Sequence, residues 1–379
     1  AHHRTMDVWT RESIYFSGEE YYQALKDRIR GARISVALEV YIFRLDRVGL
    51  AILEAMAAAA ARGIRVRLLI DGFGSSEWNL LEIYHWRERG IEVAVYHPLP
   101  WQRRTYSLTM LGKLNSRNHR KVAVIDGSIA FVGGVNICEN HSETYFGKKA
   151  WRDTVAELEG PPVAALEEAF EAAWRNPLGE PLREKLHKNF WRQREERRRR
   201  DIAWFAWVRR NHTRRLRAHA QRYLLRRLLG AKRRIWITTP YFVPLPVMIR
   251  ILRFKAWTGI DVRLIVPKKN DVWFMTWVSR AFYGALIRAG VRIFEYEPRV
   301  MHAKSTFVDD WFLVGSSNFN HRSFLHDLEV EVRVAEPASR ANLARQFPSK
   351  QQQAILAVSL DQDQLEAMTV NEYVDMYVI

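Results

Sequence analysis

Two duplicated α/β domains related by a pseudo-two-fold axis, each a mixed sheet flanked by helices, make up the fold that this sequence predicts. Three observations carry it. Apolar strand-like runs alternate with helical stretches in each half. The order of those elements recurs after about 200 residues, a long-period self-similarity of the kind that marks a repeated unit. Each half then ends in the same polar signature, H-x-K-x4-D followed by G-x-x-N. The 379-residue chain is long enough for two domains. They are placed at 8–181 and 204–379, around a basic linker at 182–203, and the second carries a C-terminal helical tail.

The elements follow in order. Ile14 to Phe16 is a short strand or loop. Ser17 and Glu20 form a capping-box pattern for a helix that stops at Gly31. The run I-S-V-A-L-E-V-Y-I-F (34–43) fits a strand buried on both faces. Glu39 within it needs a partner, and either faces the site or pairs with a neighbouring Arg. Leu50 to Arg62 reads as a helix stopped by Gly63, Arg65 to Asp71 as a strand, Leu80 to Arg89 as a helix and Ile91 to Tyr96 as a strand. In the second half, K-R-R-I-W-I-T-T-P-Y-F-V (232–243) aligns with 32–43. T-G-I-D-V-R-L-I-V-P (258–267) aligns with 61–71, and A-G-V-R-I-F-E-Y-E-P (289–298) with 89–98. Paired about a two-fold, such units bring equivalent strands to one shared site.

From Arg67 to His119 is 52 positions, against 39 from Arg263 to His302. The surplus falls in 98–117, which mixes Trp101, Tyr106, Leu108, Met110 and Leu111 with Arg103, Arg104 and Lys113. It reads either as a loop that dips into a lipid headgroup region or as a packed lid with a solvated basic side. The linker ends in Arg197 to Arg200, a solvated face or a contact for anionic lipid. Asp271 to Arg288 reads as one helix. Core packing is the preferred place for its Trp273 and Trp277, with an interfacial patch as the alternative.

The signatures carry the chemistry. Asn118 to Asn136 holds His119, Lys121, Asp126 and Asn136, and V-A-V-I-D closed by Asp-Gly is a strand entering a hairpin. Met301 to Asn318 repeats it with His302, Lys304, Asp309 and Asn318, its G-x-x-N one residue sooner. Residues two apart on a strand share a face, so each imidazole sits beside a fixed cation. Two facing histidines divide labour, one attacking while the other protonates a leaving group. Two lysines and two asparagines neutralise phosphoryl oxygens. The layout suits phosphodiester cleavage through a phosphohistidine. Asp153 and, in the second half, Asp327, Glu329 or Glu331 are carboxylates that can fix a histidine tautomer; for Glu331 an ordinary strand-edge role is preferred. No C-x-x-C, H-E-x-x-H, G-x-S-x-G or Walker-type loop is present, so neither a metal nor another cofactor is called for.

Composition limits the partners. The net charge is +17 and the pI about 10.1, which points to anionic lipid, nucleic acid or phosphate-bearing substrates. One cysteine, Cys138, leaves no internal disulfide. No run of 18 apolar residues occurs, and no signal peptide is visible.

The paired motifs resemble the phospholipase D superfamily, the HKD enzymes, over roughly residues 14–335. Within it, the stretches L-E-V-Y-I-F, L-L-I-D-G-F-G-S, F-V-G-G-V-N, W-R-D-T-V-A-E-L-E-G-P and V-G-S-S-N-F-N-H-R-S are similar to the bacterial cardiolipin synthases. The resemblance implies metal-independent transfer of a phosphatidyl group from phosphatidylglycerol to a second phospholipid. The catalytic set would be His119, Lys121, Asp126, His302, Lys304 and Asp309, with the two aspartates organising the motif more than touching substrate. His119 would attack phosphorus and His302 would protonate the departing glycerol. Asn136 and Asn318, with Ser316 beside the latter, would bind substrate, and Asp153 and Glu329 would orient the histidines. Gly134 stands where the second motif has Ser316, and Asp327 replaces a more usual Asn. The chain also lacks the N-terminal membrane-spanning pair seen in some cardiolipin synthases. The resemblance therefore implies a peripheral protein on the cytoplasmic side of a bacterial membrane, with anionic phospholipids (phosphatidylglycerol, cardiolipin) and the membrane surface as partners. The competing readings are an HKD phospholipase or nuclease, and a non-catalytic binder of anionic lipid or nucleic acid.

Overall fold

A computed structural model describes residues 8–104, 116–178 and 204–347. The first half contributes β1 (Arg11–Tyr15), β2 (Ser35–Val40), β3 (Arg65–Asp71), β4 (Ile91–Tyr96), β5 (Val122–Ile125), β6 (Ile129–Gly133) and β7 (Val155–Glu159). The second contributes β8 (Val208–Arg210), β9 (Arg234–Thr238), β10 (Asp261–Pro267), β11 (Arg292–Tyr296), β12 (Ser305–Val308), β13 (Trp311–Gly315) and β14 (Val330–Val334). The sheet orders are β1-β7-β6-β5-β2-β3-β4 and, read from the matching end, β8-β14-β13-β12-β9-β10-β11. In each sheet the last three strands are parallel and the others antiparallel. The duplication is thus a duplication of topology.

Helices cover both faces of the sheets: in the first half two pack on one face, and Val163–Arg175 packs on the other. In the first half Gly18–Gly31 starts where Ser17 Oγ accepts from Glu20 N–H at 3.3 Å. Arg47–Ala61 starts where Asp46 accepts from Gly49 N–H at 3.0 Å. Their apolar sides bury Leu25, Ile29, Ile52, Leu53 and Met56 against β2 and β3. The opposite faces of the strands form a core that runs between the halves, joining Ala37, Val122, Val132 and Leu158 to Val330 and Val332. There β6 and β7 pack on β13 and β14. The central strands β2, β3, β5 and β6 are therefore buried on both faces, which accounts for their near-continuous apolar composition.

The halves also exchange backbone. Asn118 bridges Leu328, and Arg152 bridges Met301. His119 N–H donates to Leu328 C=O at 3.0 Å, and His302 N–H to Arg152 C=O at 2.7 Å. The contact is reciprocal, as a two-fold relation requires.

The structure corrects three expectations. The segment from Asp271 is two short helices, Met275–Arg280 and Tyr283–Ile287, rather than one. Trp273 and Trp277 are 79% and 62% exposed rather than core. The alignment of 32–43 with 232–243 is one residue out of step: Val36 pairs with Ile125 as Ile235 pairs with Val308, so the strands correspond as 36 to 235. A strand apolar on both faces carries no alternation to fix its register, so the slip leaves no trace in the pattern. The expected linker at 182–203, most of the 98–117 insertion, and residues 348–379 lie outside the described residues. Among the described residues no helix is long and apolar enough to cross a membrane.

Candidate active site

Both signatures deliver their histidine just before the central antiparallel hairpin of their sheet. The cross-half backbone bonds bring the two hairpins' entrances together. His119 and His302 line one cavity of about 360 Å³, with Asn136 and Asn318, Tyr41 and Tyr241, Trp151, Asp271 and Arg117.

Each histidine is held by the other half's acid. His119 Nδ1–H donates to Glu329 at 3.1 Å, and His302 Nδ1–H donates to Asp153 at 2.7 Å. An ionised carboxylate only accepts, so with both acids ionised each ring carries the proton on Nδ1 and leaves Nε2 with its lone pair. Glu329 is itself fixed by Ser316 Oγ at 2.5 Å and Ser323 Oγ at 2.6 Å. Asp153 accepts Thr154 N–H at 2.7 Å. Gly134 is needed beside it, because a Cβ there would stand 2.2 Å from Asp153 Oδ1.

The lysines fold back on their own motif. Lys121 Nζ donates to the His119 carbonyl at 2.7 Å. Lys304 Nζ donates to the His302 carbonyl and lies 2.9 Å from His302 Nδ1. Burial, with Lys304 next, pushes Lys121 down to about 7, and burial pushes Lys304 down to about 8. Burial and then the neighbouring lysines hold both histidines well below their usual range, so both rings are neutral. Burial raises Glu329 to about 7 and raises Asp153 as well. Every charged form here is penalised by desolvation. A phosphodiester anion entering the cavity returns charge balance to the lysines and favours a proton on an imidazole.

The remaining sequence candidates sort by position. Asn318 is buried and its Oδ1 has no hydrogen-bond partner among the described residues, while Asn136 Oδ1 accepts Ile42 N–H at 3.2 Å. Ser316, expected to bind substrate, instead lies behind Glu329 with its hydroxyl spent on that carboxylate. Asp126 and Asp309 are not brought to the cavity. Each lies seven extended residue steps from its histidine, about 23 Å of strand. Asp126 accepts N–H bonds from Arg33, Ile34 and Ser35, and Asp309 from Lys232, Arg233 and Arg234. They sit at φ 53° and 52° in the hairpin turns, a conformation Asp tolerates better than most residues. The first turn spans 126–128 and the second 309–310, which explains the residue missing before the second G-x-x-N.

Glu39 is buried with Arg120 at 3.3 Å and accepts Asn118 Nδ2–H at 2.6 Å, so of its two readings the ion pair holds. Glu331 pairs with Arg209 at 3.0 Å. Asp327 accepts Arg322 Nε–H at 2.9 Å and Arg117 N–H at 3.1 Å.

Sequence reasoning missed Tyr41, Tyr241 and His141. The Tyr41 ring is 5.0 Å from the His119 ring and the Tyr241 ring 6.3 Å from that of His302. A tyrosine shortly after β2 and another shortly after β9 were a usable signal. His141, Asp153 and His302 bring ligand atoms within 4.8 Å of one another. As a metal site the set fits poorly: Asp153 is already spent on His302, and the Lys304 ammonium faces the same ring.

Outside the cavity, Phe73, beside Arg117, is 61% exposed. It lies in the loop after β3, as Trp273 lies in the loop after β10. The two halves thus present exposed aromatics on equivalent loops that adjoin cavity-lining residues.

The sequence matches the family described as "Cardiolipin synthase, PLD-like domain" over residues 25–174 and 224–351. It is 32% identical over 345 residues to a cardiolipin synthase of Halalkalibacterium halodurans, covering 89% of this chain and 65% of that protein. It is 30% identical over 341 residues to a cardiolipin synthase of Clostridium perfringens, covering 88% of this chain and 69% of that one. The chain thus spans about two thirds of the length of these relatives. In fold it resembles the crystal structure of the phosphatidylserine synthase of Haemophilus influenzae, with a TM-score of 0.63 at 15% identity, covering 90% of this chain and 86% of that one.

Proposed function

The chain belongs to the phospholipase D-like domain family of the cardiolipin synthases, and from that membership we propose that it transfers a phosphatidyl group from phosphatidylglycerol to a second phospholipid through a phosphohistidine. The observation that carries the reading is the pair of facing histidines in one cavity, each held at Nδ1 by the acid of the opposite half.

His119 Nε2 attacks phosphorus, and the bond from phosphorus to the departing glycerol oxygen breaks. His302, protonated once the anionic phosphate has entered, gives that proton to the leaving oxygen. A hydroxyl of the second phospholipid then loses its proton to neutral His302 and attacks phosphorus. The phosphorus–nitrogen bond breaks, returning neutral His119 and protonated His302. With phosphatidylglycerol as acceptor the product is cardiolipin. Lys121, Lys304, Asn136 and Asn318 hold the phosphoryl oxygens, where charge accumulates. The cavity suits a headgroup, and the acyl chains stay in the bilayer. The exposed Phe73, Trp273 and Trp277 support seating of the mouth on an anionic membrane, on its cytoplasmic side.

Incubation of the pure protein with phosphatidylglycerol vesicles in chelator, read by lipid mass spectrometry, tests the proposal. Cardiolipin with released glycerol is expected. Phosphatidic acid alone would replace transfer by hydrolysis. No lipid product, with cleavage of single-stranded or duplex DNA, would replace it by a nuclease.

A further inference from the structure

We propose that His141 is a positioning residue, whose ring N–H donates to Asp153 and through that carboxylate sets the imidazole of His302. This rests on the reading above, in which His302 moves the proton.

The first observation is register. His141 lies five residues after Asn136, and Ser323 lies five after Asn318. Ser323 donates to Glu329, the acid that holds His119. His141 therefore occupies the place from which the second half holds its acid. The residue types differ, so the repeat does not announce the correspondence.

The second observation is the ring itself. His141 is fully buried, and among the described residues neither ring nitrogen has a hydrogen-bond partner. A buried polar group in that state costs stability, so something must compensate. The ring packs edge-on to Trp151 at 5.2 Å and to His302 at 5.7 Å, and its ligand atoms lie within 4.8 Å of those of Asp153 and His302. The His141 ring lies near Asp153 but not in hydrogen-bonding geometry, and the proposed bond forms when the ring turns toward Asp153.

The third is the unequal supply of donors to the two acids. Glu329 takes two hydroxyls, from Ser316 and Ser323. Asp153 has Gly134 where Ser316 would be, and among the described residues no hydroxyl reaches it. A carboxylate has about four acceptor sites, and His141 is the side chain placed to use one. Asp153, His302, Lys304 and Lys121 are the charged or titratable groups that act on it, and burial pushes it down to about 3. It stays a neutral imidazole, a donor rather than a second proton shuttle.

The sign of the effect follows. A donor favours the ionised form of Asp153, which burial disfavours. Removing the donor moves Asp153 protonation to higher pH, and the acid limb of kcat moves with it. In the full chain, His141→Phe is expected to lower kcat about tenfold, the size seen when a supporting hydrogen-bond partner is removed. KM stays within twofold, and the acid limb rises by at least half a pH unit. His141→Gln or His141→Asn restores the limb. An unmoved limb in a folded His141→Phe protein would overturn the proposal.

A second measurement needs neither substrate nor variant. In 15N-imidazole spectra of the wild-type protein, the His141 ring N–H is expected to be exchange-protected and shifted downfield. A freely exchanging ring N–H would overturn the proposal even if His141→Phe fails to fold. Absence of lipid turnover in wild type, with the protected N–H present, would count against the lipid reading alone.

Discussion

Lys304 shows what the site costs the fold. Its amine is buried, and burial draws its pKa down to about 8. A lysine depressed in the folded state contributes stability only above its unfolded pKa of about 10.4, and that contribution is lost as pH falls through about 8. At pH 7 it is a destabilising group, a cost that its proposed role in holding the phosphate accounts for. Lys304→Met is expected to raise stability by about 1–3 kcal/mol at pH 7, with the gain shrinking towards pH 10, while turnover is lost. Thermal unfolding against pH checks the sign. Asp126 behaves in the opposite way. The backbone N–H groups of Ser35, Ile34 and Arg33 hold its pKa below the usual carboxylate range despite partial burial. Its contribution is therefore present above about pH 4 and is lost as pH falls further. Asp126→Ala is expected to cost about 1–3 kcal/mol and to leave kcat per folded molecule unchanged. A loss of kcat beyond a hundredfold in folded protein would return Asp126 to the chemistry.

At the scale of elements, β2 couples fold to site. Glu39 on β2 holds Asn118 and Arg120, the residues on either side of His119. Breaking that buried pair with Arg120→Met is expected to cost about 3–5 kcal/mol, and Glu39→Leu added to it recovers most of the loss. Chemical denaturation of the single and double variants reads the coupling. Much of this level was legible. Capping at Ser17, the Asp-Gly hairpin and the alternation of strands and helices all have local causes that the residues display. Glu39 was visible as an anomaly, although only contacts could choose between its two readings. The one-residue slip in aligning β9 on β2 was not visible, since these runs show no alternation to count from and Glu39 meets two adjacent threonines, Thr238 and Thr239, in the second half. The exposure of Trp273 and Trp277 was hidden for a related reason: their helical spacing suits a core as well as a rim.

For the whole molecule, the histidine signatures predicted a shared cavity. They left open which acid serves which histidine. That exchange, Glu329 on His119 and Asp153 on His302, exists only because backbone at 117–119 and 300–302 pairs across the halves. No local pattern encodes it. The same packing sets the two aromatic loops beside one mouth on a chain of net charge +17. Binding to phosphatidylglycerol vesicles, followed by co-sedimentation, is expected to weaken steeply as salt rises from 0.05 to 0.5 M, each ~3-fold step shortening the screening length. It is expected to fall about tenfold in Trp273→Ser/Trp277→Ser. Salt-insensitive binding would remove the electrostatic contribution. The central claim is that one cavity carries a phosphatidyl group on His119 while His302 moves the proton. Rapid acid-free quenching of the turning-over protein, followed by peptide mass spectrometry, tests it most directly. The expected result is a phosphatidyl adduct on the peptide holding His119, absent in His119→Ala; an adduct on His302, or on neither histidine during turnover, would contradict it.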